Sequence, residues 1–339
     1  MKYLLLLLTL ILLFLPLGCS ASKGVTPSEA AMAKCQQELE RIPEVGPWLK
    51  SRGKQHEASE SQPLKGMEIA LTINRMVRNT VDPDADEDDW CYTENTNENF
   101  DKLVAALRQN QMPSTVDFIV GHALDADIQE AWLSSGNALG NMTYSRIKPK
   151  NKTAQEFIED VDRNEQALAP LLTKFPTHQK YFRFPGLTLD SDQQKLAQIT
   201  AYLKQRGYVE VPATIDAGDD VFSQVYCSAL ARGEHACAGF VKGTFRSLLL
   251  DRTLTARDTA RNIAGRDVKH ILMIKANQLT CDMLSEVLTW YKALGVSFIS
   301  LDEALRDPFY AAGNSTALGN QIIAETDRAL SSPKSKSDE

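Results

Sequence analysis

Residues 114–143 read STVDFIVGHALDADIQEAWLSSGNALGNMT, and this stretch decides the fold. The apolar runs Ser114–Val120 and Ala138–Thr143 have the composition of buried strands. Asp127–Ser134, which lies between them, has the spacing of an amphipathic helix. A strand, a helix and a second strand in succession predict two parallel strands joined by a crossover helix.

The same alternation continues on both sides of this unit. Further strand-like runs are Glu68–Ile73, Tyr181–Phe184, Val209–Ile215, His270–Ile274 and Val296–Ser300. Further helical stretches are Asn99–Gln109, Ala154–Leu172, Ser191–Gly207, Ala256–Arg266 and Thr280–Leu294. About seven strand–helix repeats predict an α/β protein with a mostly parallel sheet, and that number suits a (β/α) barrel.

The composition is that of a folded protein. The chain has 339 residues, of which 43% are hydrophobic and 24% charged, and it is long enough to bury a sizeable core. The 44 acidic and 37 basic side chains give a net charge of −7, which argues against nucleic-acid binding because no basic stripe exists to neutralise phosphates. With 18 glycines and 14 prolines, a collagen-like or low-complexity chain is also excluded.

The N-terminal segment has the pattern of a secretory signal. Lys2 precedes the apolar run Tyr3–Leu17, which is too short for a spanning helix and is followed by polar residues. Gly18 and Cys19 resemble a bacterial lipobox, in which the cysteine is lipidated, although the two residues before Gly18 depart from that pattern. A plain signal peptide is the alternative. We expect an exported protein at the periplasmic face or cell surface, tethered to the membrane through Cys19.

Four regions are predicted along the chain. They are a signal peptide at 1–19, an N-terminal helix and linker at 20–65, the main domain at 66–310 and a flexible C-terminal tail at 311–339. The tail is assigned from its content of glycine, serine and asparagine.

The cysteines suggest disulfides, which export permits. Five cysteines remain once Cys19 is set aside, so at least one thiol is unpaired or pairs between chains. Cys227 and Cys237 lie on one short segment and are the first predicted pair, and Cys35 with Cys91 is a weaker one. None has the close spacing of a zinc ribbon.

Five segments between residues 66 and 310 resemble, in order, the polysaccharide deacetylases, which are carbohydrate esterase family 4 with its NodB-type domain. They are KLVAAL at 102–107, WLSSGNALGNMTYS at 132–145, YFRFP at 181–185, VPATIDAGD at 211–219 and HILMIKAN at 270–277. The resemblance implies a distorted (β/α) barrel that removes acetyl groups from sugar polymers. It also implies a metal, commonly zinc, held by one aspartate and two histidines, with an aspartate as general base and a histidine as general acid.

The chain departs from the family where this chemistry needs specific side chains. The general base is replaced by Asn74, the three metal ligands by Arg75, Met142 and Arg146, and the general acid by Lys275. A guanidinium has no lone pair to give, a thioether is too soft for this ion, and an amide cannot accept the proton. We therefore expect no bound metal, no catalytic residue at these five positions, and a pseudoenzyme.

Histidines elsewhere offer little replacement. None of His56, His122, His178, His235 and His270 falls on a functional position of the motifs. A site rebuilt from His122 and Asp216 is conceivable, and His270 is expected to be a packed residue on its strand.

The candidate ligand-binding residues are Arg75, Arg146, Arg183, Asp216, Asp219, Tyr226 and Lys275. Three interpretations remain open. Asp216 and Asp219 neutralise the cations in a salt-bridge network, or the cations form a pocket for an anionic group that arginine grips in bidentate fashion. In the third, Lys275 is a nucleophile or base whose pKa is lowered by its cationic neighbours.

The sequence favours a deacetylase-like protein without catalytic activity that binds cell-envelope polysaccharide or a partner protein. The alternative is an active hydrolase of carbon–nitrogen bonds other than peptide bonds, which deacetylates a polysaccharide with a rebuilt site. A purely structural or accessory role is the third possibility.

Overall fold

The computed structural model describes residues 27–52, 62–76, 96–176, 179–312 and 315–331. Within them the strands are β1 (Glu68–Asn74), β2 (Val116–Ile119), β3 (Ala138–Asn141), β4 (Lys180–Phe182), β5 (Tyr208–Glu210), β6 (Ile215–Asp216), β7 (His270–Lys275) and β8 (Ser297–Ile299). The helices are α1 (Pro27–Glu40), α2 (Gly46–Arg52), α3 (Thr96–Gln109), α4 (Ala126–Ser134), α5 (Ala154–Lys174), α6 (Gln193–Gln205), α7 (Asp219–Ala231), α8 (His235–Ala264), α9 (Gln278–Ala293), α10 (Leu301–Leu305) and α11 (Ser315–Ser331). The predicted signal segment with Cys19 lies outside the described residues.

All eight strands form one parallel sheet in the order β5-β4-β3-β2-β1-β7-β6, with β8 beside the first half of β1. The register places Asn74 opposite both Phe118 of β2 and Lys275 of β7. The carboxyl ends of these strands therefore meet at one edge, and the loops that follow β1, β3, β4, β6 and β7 form what we call the barrel mouth.

The sheet has to curve, because its two edge strands are neighbours in the chain. Laid flat, six gaps of about 4.8 Å would separate β5 from β6 by roughly 29 Å. Only residues 211–214 join them, and five peptide steps of about 3.8 Å reach no further than about 19 Å. The structure is thus the distorted (β/α) barrel expected from the sequence.

The run Val209–Ile215, predicted as one strand, is two short strands with a crossing between them. The Val211 N–H donates to the Phe182 carbonyl on the β4 side, and the Thr214 N–H donates to the Ile271 carbonyl on the β7 side. Pro212 stands where the chain changes partner, and it has no N–H to give to a ladder. The barrel is closed here by the crossing chain and not by strand pairing.

The prediction of a flexible tail after residue 310 is wrong for residues 315–331, which form helix α11. Ile323 packs against Leu187, Ala213 and Met273. Asn320 donates to the Leu187 carbonyl at 2.5 Å. Helix α11 therefore covers the gap between β5 and β6, and this burial of apolar side chains outweighs the turn-like composition at its start.

Two helices precede β7 where only Ala256–Arg266 was predicted. Helix α7 ends at Ala231, and α8 runs for 30 residues from His235. Helix α8 lies against α11 and α7 and buries much of its length, with Val241, Leu248 and Ala256 in the core. No helix in the described ranges is long and apolar enough to cross a membrane.

The predicted disulfide Cys227–Cys237 is wrong, and so is Cys35–Cys91. Cys35 of α1 is bonded to Cys237 in the first turn of α8, with a Cα–Cα distance of 5.8 Å. Helix α1 packs against α7 and α8, which brings together two cysteines 202 residues apart. Cys227 belongs to a separate disulfide. Cys281 is a free thiol, and burial raises its pKa to about 12.

The packing of α11 can be tested at Gly319. A Cβ there would lie 2.4 Å from the Ala213 carbonyl oxygen and 3.0 Å from Pro212 Cβ. We expect Gly319→Ala to lower the free energy of unfolding by about 1–3 kcal/mol in urea titrations, because the helix must move off the crossing chain.

Gly239→Ala is the matched control, since a Cβ at that exposed position of α8 meets no atom within 4 Å. Alanine is the better helix former, so this variant should gain about 0.5–1 kcal/mol. Stabilisation by both substitutions would contradict the docking of α11 over the gap.

Candidate functional site

The barrel mouth brings together most of the residues singled out from the sequence. Asn74 and Lys275 end adjacent strands, Asp216 ends β6, and Arg183 follows β4. Arg75 follows β1, and Arg146 lies in the loop after β3. The site is therefore assembled at the carboxyl edge of a parallel sheet, where such barrels carry their chemistry.

Arg183 fills the interior of the mouth. It is 1% exposed, and its guanidinium lies 4.0 Å from the centre of the Phe118 ring. It donates to Asn74 Oδ1 (2.9 Å), Thr72 Oγ1 (2.9 Å) and the carbonyls of Val211 and Pro212 (both 3.2 Å). Burial lowers the pKa of Arg183, and the nearby acidic groups of Asp216 and Asp117 oppose that effect. No carboxylate in the described residues lies within ion-pair distance of it, so neutral oxygens hold this cation.

Lys275 is paired with Asp220. Its Nζ lies 2.5 Å from Asp220 Oδ2. Burial would lower the pKa of Lys275, but the carboxylates of Asp216, Asp220 and Asp219 outweigh it, and the pKa is raised. The interpretation of Lys275 as a base or nucleophile with a lowered pKa is therefore wrong, because the ammonium stays protonated at neutral pH.

Asp219 supports the local structure and also contributes to the neutralisation of Lys275 that the sequence predicted. Its Oδ2 accepts hydrogen bonds from the Lys275 backbone N–H (2.9 Å), Asn277 Nδ2 (2.6 Å) and Thr280 Oγ1 (2.6 Å). Burial raises the pKa of Asp219 to about 6. It joins the end of β7 to the start of α9, and Asp220 forms the direct ion pair with Lys275.

Tyr226 is not part of the mouth. Its ring is buried, and its hydroxyl donates to Asp282 Oδ2 at 2.9 Å. Asp282 is also paired with Lys102 of α3 at 2.7 Å. Tyr226 thus belongs to a polar contact between α3, α7 and α9 and not to the group of side chains in the mouth.

The backbone of the mouth is strained at several positions. Arg75 (φ 60°), Thr143 (φ 64°) and Arg146 (φ 57°) are in the left-handed region, which favours glycine. Leu187, in the loop after Arg183, has a φ of 54°. Four non-glycine residues in this conformation therefore lie in the loops that follow β1, β3 and β4.

The residues present do not fit the metal of the family. The side-chain N–H of Asn74 donates to Met273 Sδ (3.1 Å), and Met142 is buried. Lys275 is a paired ammonium ion, and the two remaining positions are arginines, which do not ligate cations. The described part of the chain contains no cluster of three His, Cys, Asp or Glu side chains that could hold a metal ion.

Two histidines near the sheet have other contacts. The Nδ1 atom of His122 lies 2.9 Å from the Tyr144 carbonyl oxygen. His270 is buried beside Thr214, so the prediction of a packed residue is confirmed, and burial lowers its pKa to about 4. His56 and His178 lie outside the described residues.

One buried carboxyl group was missed in the sequence. Asp117 interrupts the apolar strand β2, is fully buried, and accepts from the Met76 N–H at 3.3 and 3.4 Å. Burial raises the pKa of Asp117 to about 8, so this group carries a proton at neutral pH. The sequence signal was a single acidic residue in the run VDFI.

The chain is similar to known proteins in sequence and in structure. Residues 64–204 match the family model described as polysaccharide deacetylase. No curated protein matches the chain. Among solved structures, a family 4 pseudoenzyme from Bacillus anthracis is similar, with 14% identity and a TM-score of 0.43 over 72% of this chain and 66% of that one.

Two further solved structures are similar at the same level. A family 4 carbohydrate esterase from Streptomyces lividans has 13% identity and a TM-score of 0.42 over 69% of this chain and 92% of that one. A mutant peptidoglycan deacetylase from Bacillus subtilis has 12% identity and a TM-score of 0.43 over 80% of this chain and 99% of that one.

The protonated state of Asp117 predicts a pH-dependent stability. The folded state holds a proton on this group up to about pH 8, whereas an unfolded aspartate with a pKa of about 3.9 does not. The free energy of unfolding should therefore fall as the pH rises from about 5 to 8, with a slope of about 1.4 kcal/mol per pH unit up to about pH 7 that is halved at about pH 8.

Asp117→Asn should remove this slope, measured by urea titrations at several pH values. Asp101→Asn, on the exposed face of α3, is the control and should keep it. An unchanged slope in Asp117→Asn would show that the carboxyl group is ionised in the folded protein.

Proposed function

The chain belongs to the polysaccharide deacetylase family through residues 64–204, and on that premise we propose that it is a non-catalytic member that binds cell-envelope polysaccharide at the barrel mouth. The proposal rests on one observation, namely the contacts of the side chains at the positions that correspond to the family's catalytic residues. Asn74 accepts a hydrogen bond from Arg183, and Lys275 forms an ion pair with Asp220. These side chains are engaged with other residues of the mouth.

Hydrolysis of an acetyl group would need three things that these residues cannot supply. An attacking water needs a base, but the Asn74 amide has no proton affinity to offer. The oxyanion needs a strong electrophile, and the metal that would supply it has no ligand set in the described residues. The leaving group needs an acid, and Lys275, with its raised pKa and carboxylate partners, is a poor one.

The strained backbone supports a retained use of the mouth. Each left-handed non-glycine residue costs on the order of 1 kcal/mol. Such strain at Arg75, Thr143 and Arg146 persists where the surrounding structure imposes it, and it clusters at functional sites. Two of the three residues are arginines, whose planar fork suits carboxylate groups. A polysaccharide that carries acidic groups is the ligand that this chemistry favours.

Export remains part of the proposal. The disulfide Cys35–Cys237 and the second one at Cys227 favour an oxidising compartment. We further propose that the signal-like run Tyr3–Leu17 directs secretion and that lipidation of Cys19 tethers the protein to the membrane. Labelling with a radioactive fatty acid, and its loss in Cys19→Ser, tests the tether.

Zinc binding separates a pseudoenzyme from an active hydrolase. We expect no tightly bound zinc, by equilibrium dialysis, and no acetate release from an acetylated glycan with added zinc. The triple variant Arg75→Asp, Met142→His, Arg146→His restores an oxygen and two nitrogen ligands and should bind one equivalent of zinc. One tight equivalent in the unaltered protein would overturn the proposal. A triple variant that melts cooperatively but binds no zinc would contradict the assignment of these positions.

Binding of an acidic glycan tests the second half of the proposal. We expect immobilised polygalacturonate to retain the protein and neutral dextran not to do so. Arg146→Glu should weaken retention by about tenfold or more, since it replaces an attraction with a repulsion. Arg108→Glu, at the exposed last turn of α3 and the opposite end of the barrel, should leave it unchanged. Equal retention of all three proteins would show that the mouth is not the binding site.

A further inference from the structure

An open groove lies beside the barrel mouth, between the loop after β3 and the loop after β4. One wall is the short 3-10 turn Pro149–Asn151 with the first turn of α5, and the other is the first turn of α6. The groove has a volume of about 670 Å³. Three lysines line it, namely Lys150, Lys152 and Lys195.

The wall after β3 carries an unusual charge pattern for this protein. Residues 144–152 read YSRIKPKNK, so that every second residue from Arg146 to Lys152 is a cation. Lys148, Lys150 and Lys152 are all exposed. The chain as a whole has a net charge of −7, which makes this concentration of positive charge a local feature.

The carboxylates near the groove are engaged in local structure. Asp192 caps α6 by accepting from the N–H groups of Gln194 and Lys195. Glu156 closes a capping box with Thr153 at the start of α5, and it lies 3.5 Å from Lys152 in an exposed pair. Such a pair contributes little.

Lys148 and Lys150 are the two cations of this wall that form no ion pair with a described residue. Neither has a carboxylate within 4 Å among the residues that the structure places. Both can therefore bind an anion without first breaking an ion pair within that part of the chain.

The third of the lysines that line the groove, Lys195, holds it in shape. Lys195 pairs with Asp190 and donates to the carbonyls of Pro149 (3.1 Å) and Lys152 (2.9 Å). It thus ties the loop after β3 to the start of α6. The positive wall is fixed against the protein, which lowers the entropy lost when a ligand binds to it.

Lys148 connects the groove to the mouth. A Cβ built on Gly186 would lie 3.3 Å from Lys148 Cε and 3.7 Å from its Nζ, so this lysine lies over the turn that follows Arg183. The cations therefore run from Arg146 at the mouth, past Gly186, to Lys150 and Lys152 in the groove.

We propose that this groove is a binding subsite for a polyanionic polysaccharide, whose chain extends from the barrel mouth along Lys148, Lys150 and Lys152. The inference rests on the proposed function and extends it to a second site and a ligand class. Lysine ammonium groups recognise charge without fixing its geometry, which suits a polymer with repeated carboxylates. A linear polymer also spans the mouth and the groove at once, so that two weak sites add to one stronger attachment.

Two other anionic partners fit less well. A membrane surface needs apolar side chains for insertion, and Leu230 on α7 is the single large exposed apolar side chain among the described residues. Single-stranded nucleic acid needs aromatic stacking surfaces, and no aromatic side chain lines the groove.

The test compares two double variants that lose the same charge. Lys148→Gln/Lys150→Gln removes the cations that lack a described partner. Lys65→Gln/Lys204→Gln removes two exposed lysines at the opposite end of the barrel. The ligand is polygalacturonate at low salt, with neutral dextran and with phosphatidylglycerol vesicles in parallel. We expect the first variant to bind polygalacturonate about tenfold more weakly, as two lysine contacts allow, and the second to bind like the unaltered protein.

The outcomes distinguish the two proposals. If Arg146→Glu weakens binding but the groove variant does not, the subsite is wrong and the mouth stands. If the unaltered protein does not bind polygalacturonate, both are wrong. Lysine-dependent binding to the vesicles without binding to the polysaccharide would replace the glycan with a membrane surface. Equal losses of polygalacturonate binding in both double variants would show that overall charge causes the effect, and the subsite would be wrong.

Discussion

The connection between β5 and β6 is the constraint on which the rest of the structure depends. Residues 211–214 are too short to span an open sheet, so they force the sheet into a barrel. They also leave two carbonyls, of Val211 and Pro212, facing the interior, and Arg183 donates to both. The guanidinium that fills the mouth therefore also completes the closure of the barrel. The same hydrogen bonds of Arg183 hold the site together and complete the barrel.

This sharing shows how contacts among its own side chains hold the mouth together. A divalent metal with its carboxylate and imidazole ligands supplies cohesion as well as chemistry. In this chain Arg183 donates a hydrogen bond to Asn74, which occupies the position of the family's general base. Lys275 attracts the nearby aspartates Asp216, Asp219 and Asp220. Arg183 is held by neutral oxygens, and Lys275 is held by opposite charge. Opposite charges in the mouth thus carry the cohesion that a metal would carry.

The sequence predicted the elements whose pattern is local. β1, β7 and α9 lie close to their predicted bounds, because apolar periodicity and short loops determine them. It missed what depends on contacts between distant segments. Helix α11 is stabilised by packing on Ala213, and Cys237 meets Cys35 because α1 lies across α7 and α8. Within the site, the positions at the ends of the strands predicted that Asn74, Arg183 and Lys275 gather at one edge. The partner of Lys275 and the remote position of Tyr226 required three-dimensional distances.

The disulfide between α1 and α8 has a topological consequence. It closes a covalent loop of 202 residues that contains β1 to β6 and α2 to α7, which is most of the barrel. A protease that cuts one exposed loop within this span produces two fragments that stay covalently joined. A nicked copy of this chain therefore remains a single molecule until its disulfides are reduced.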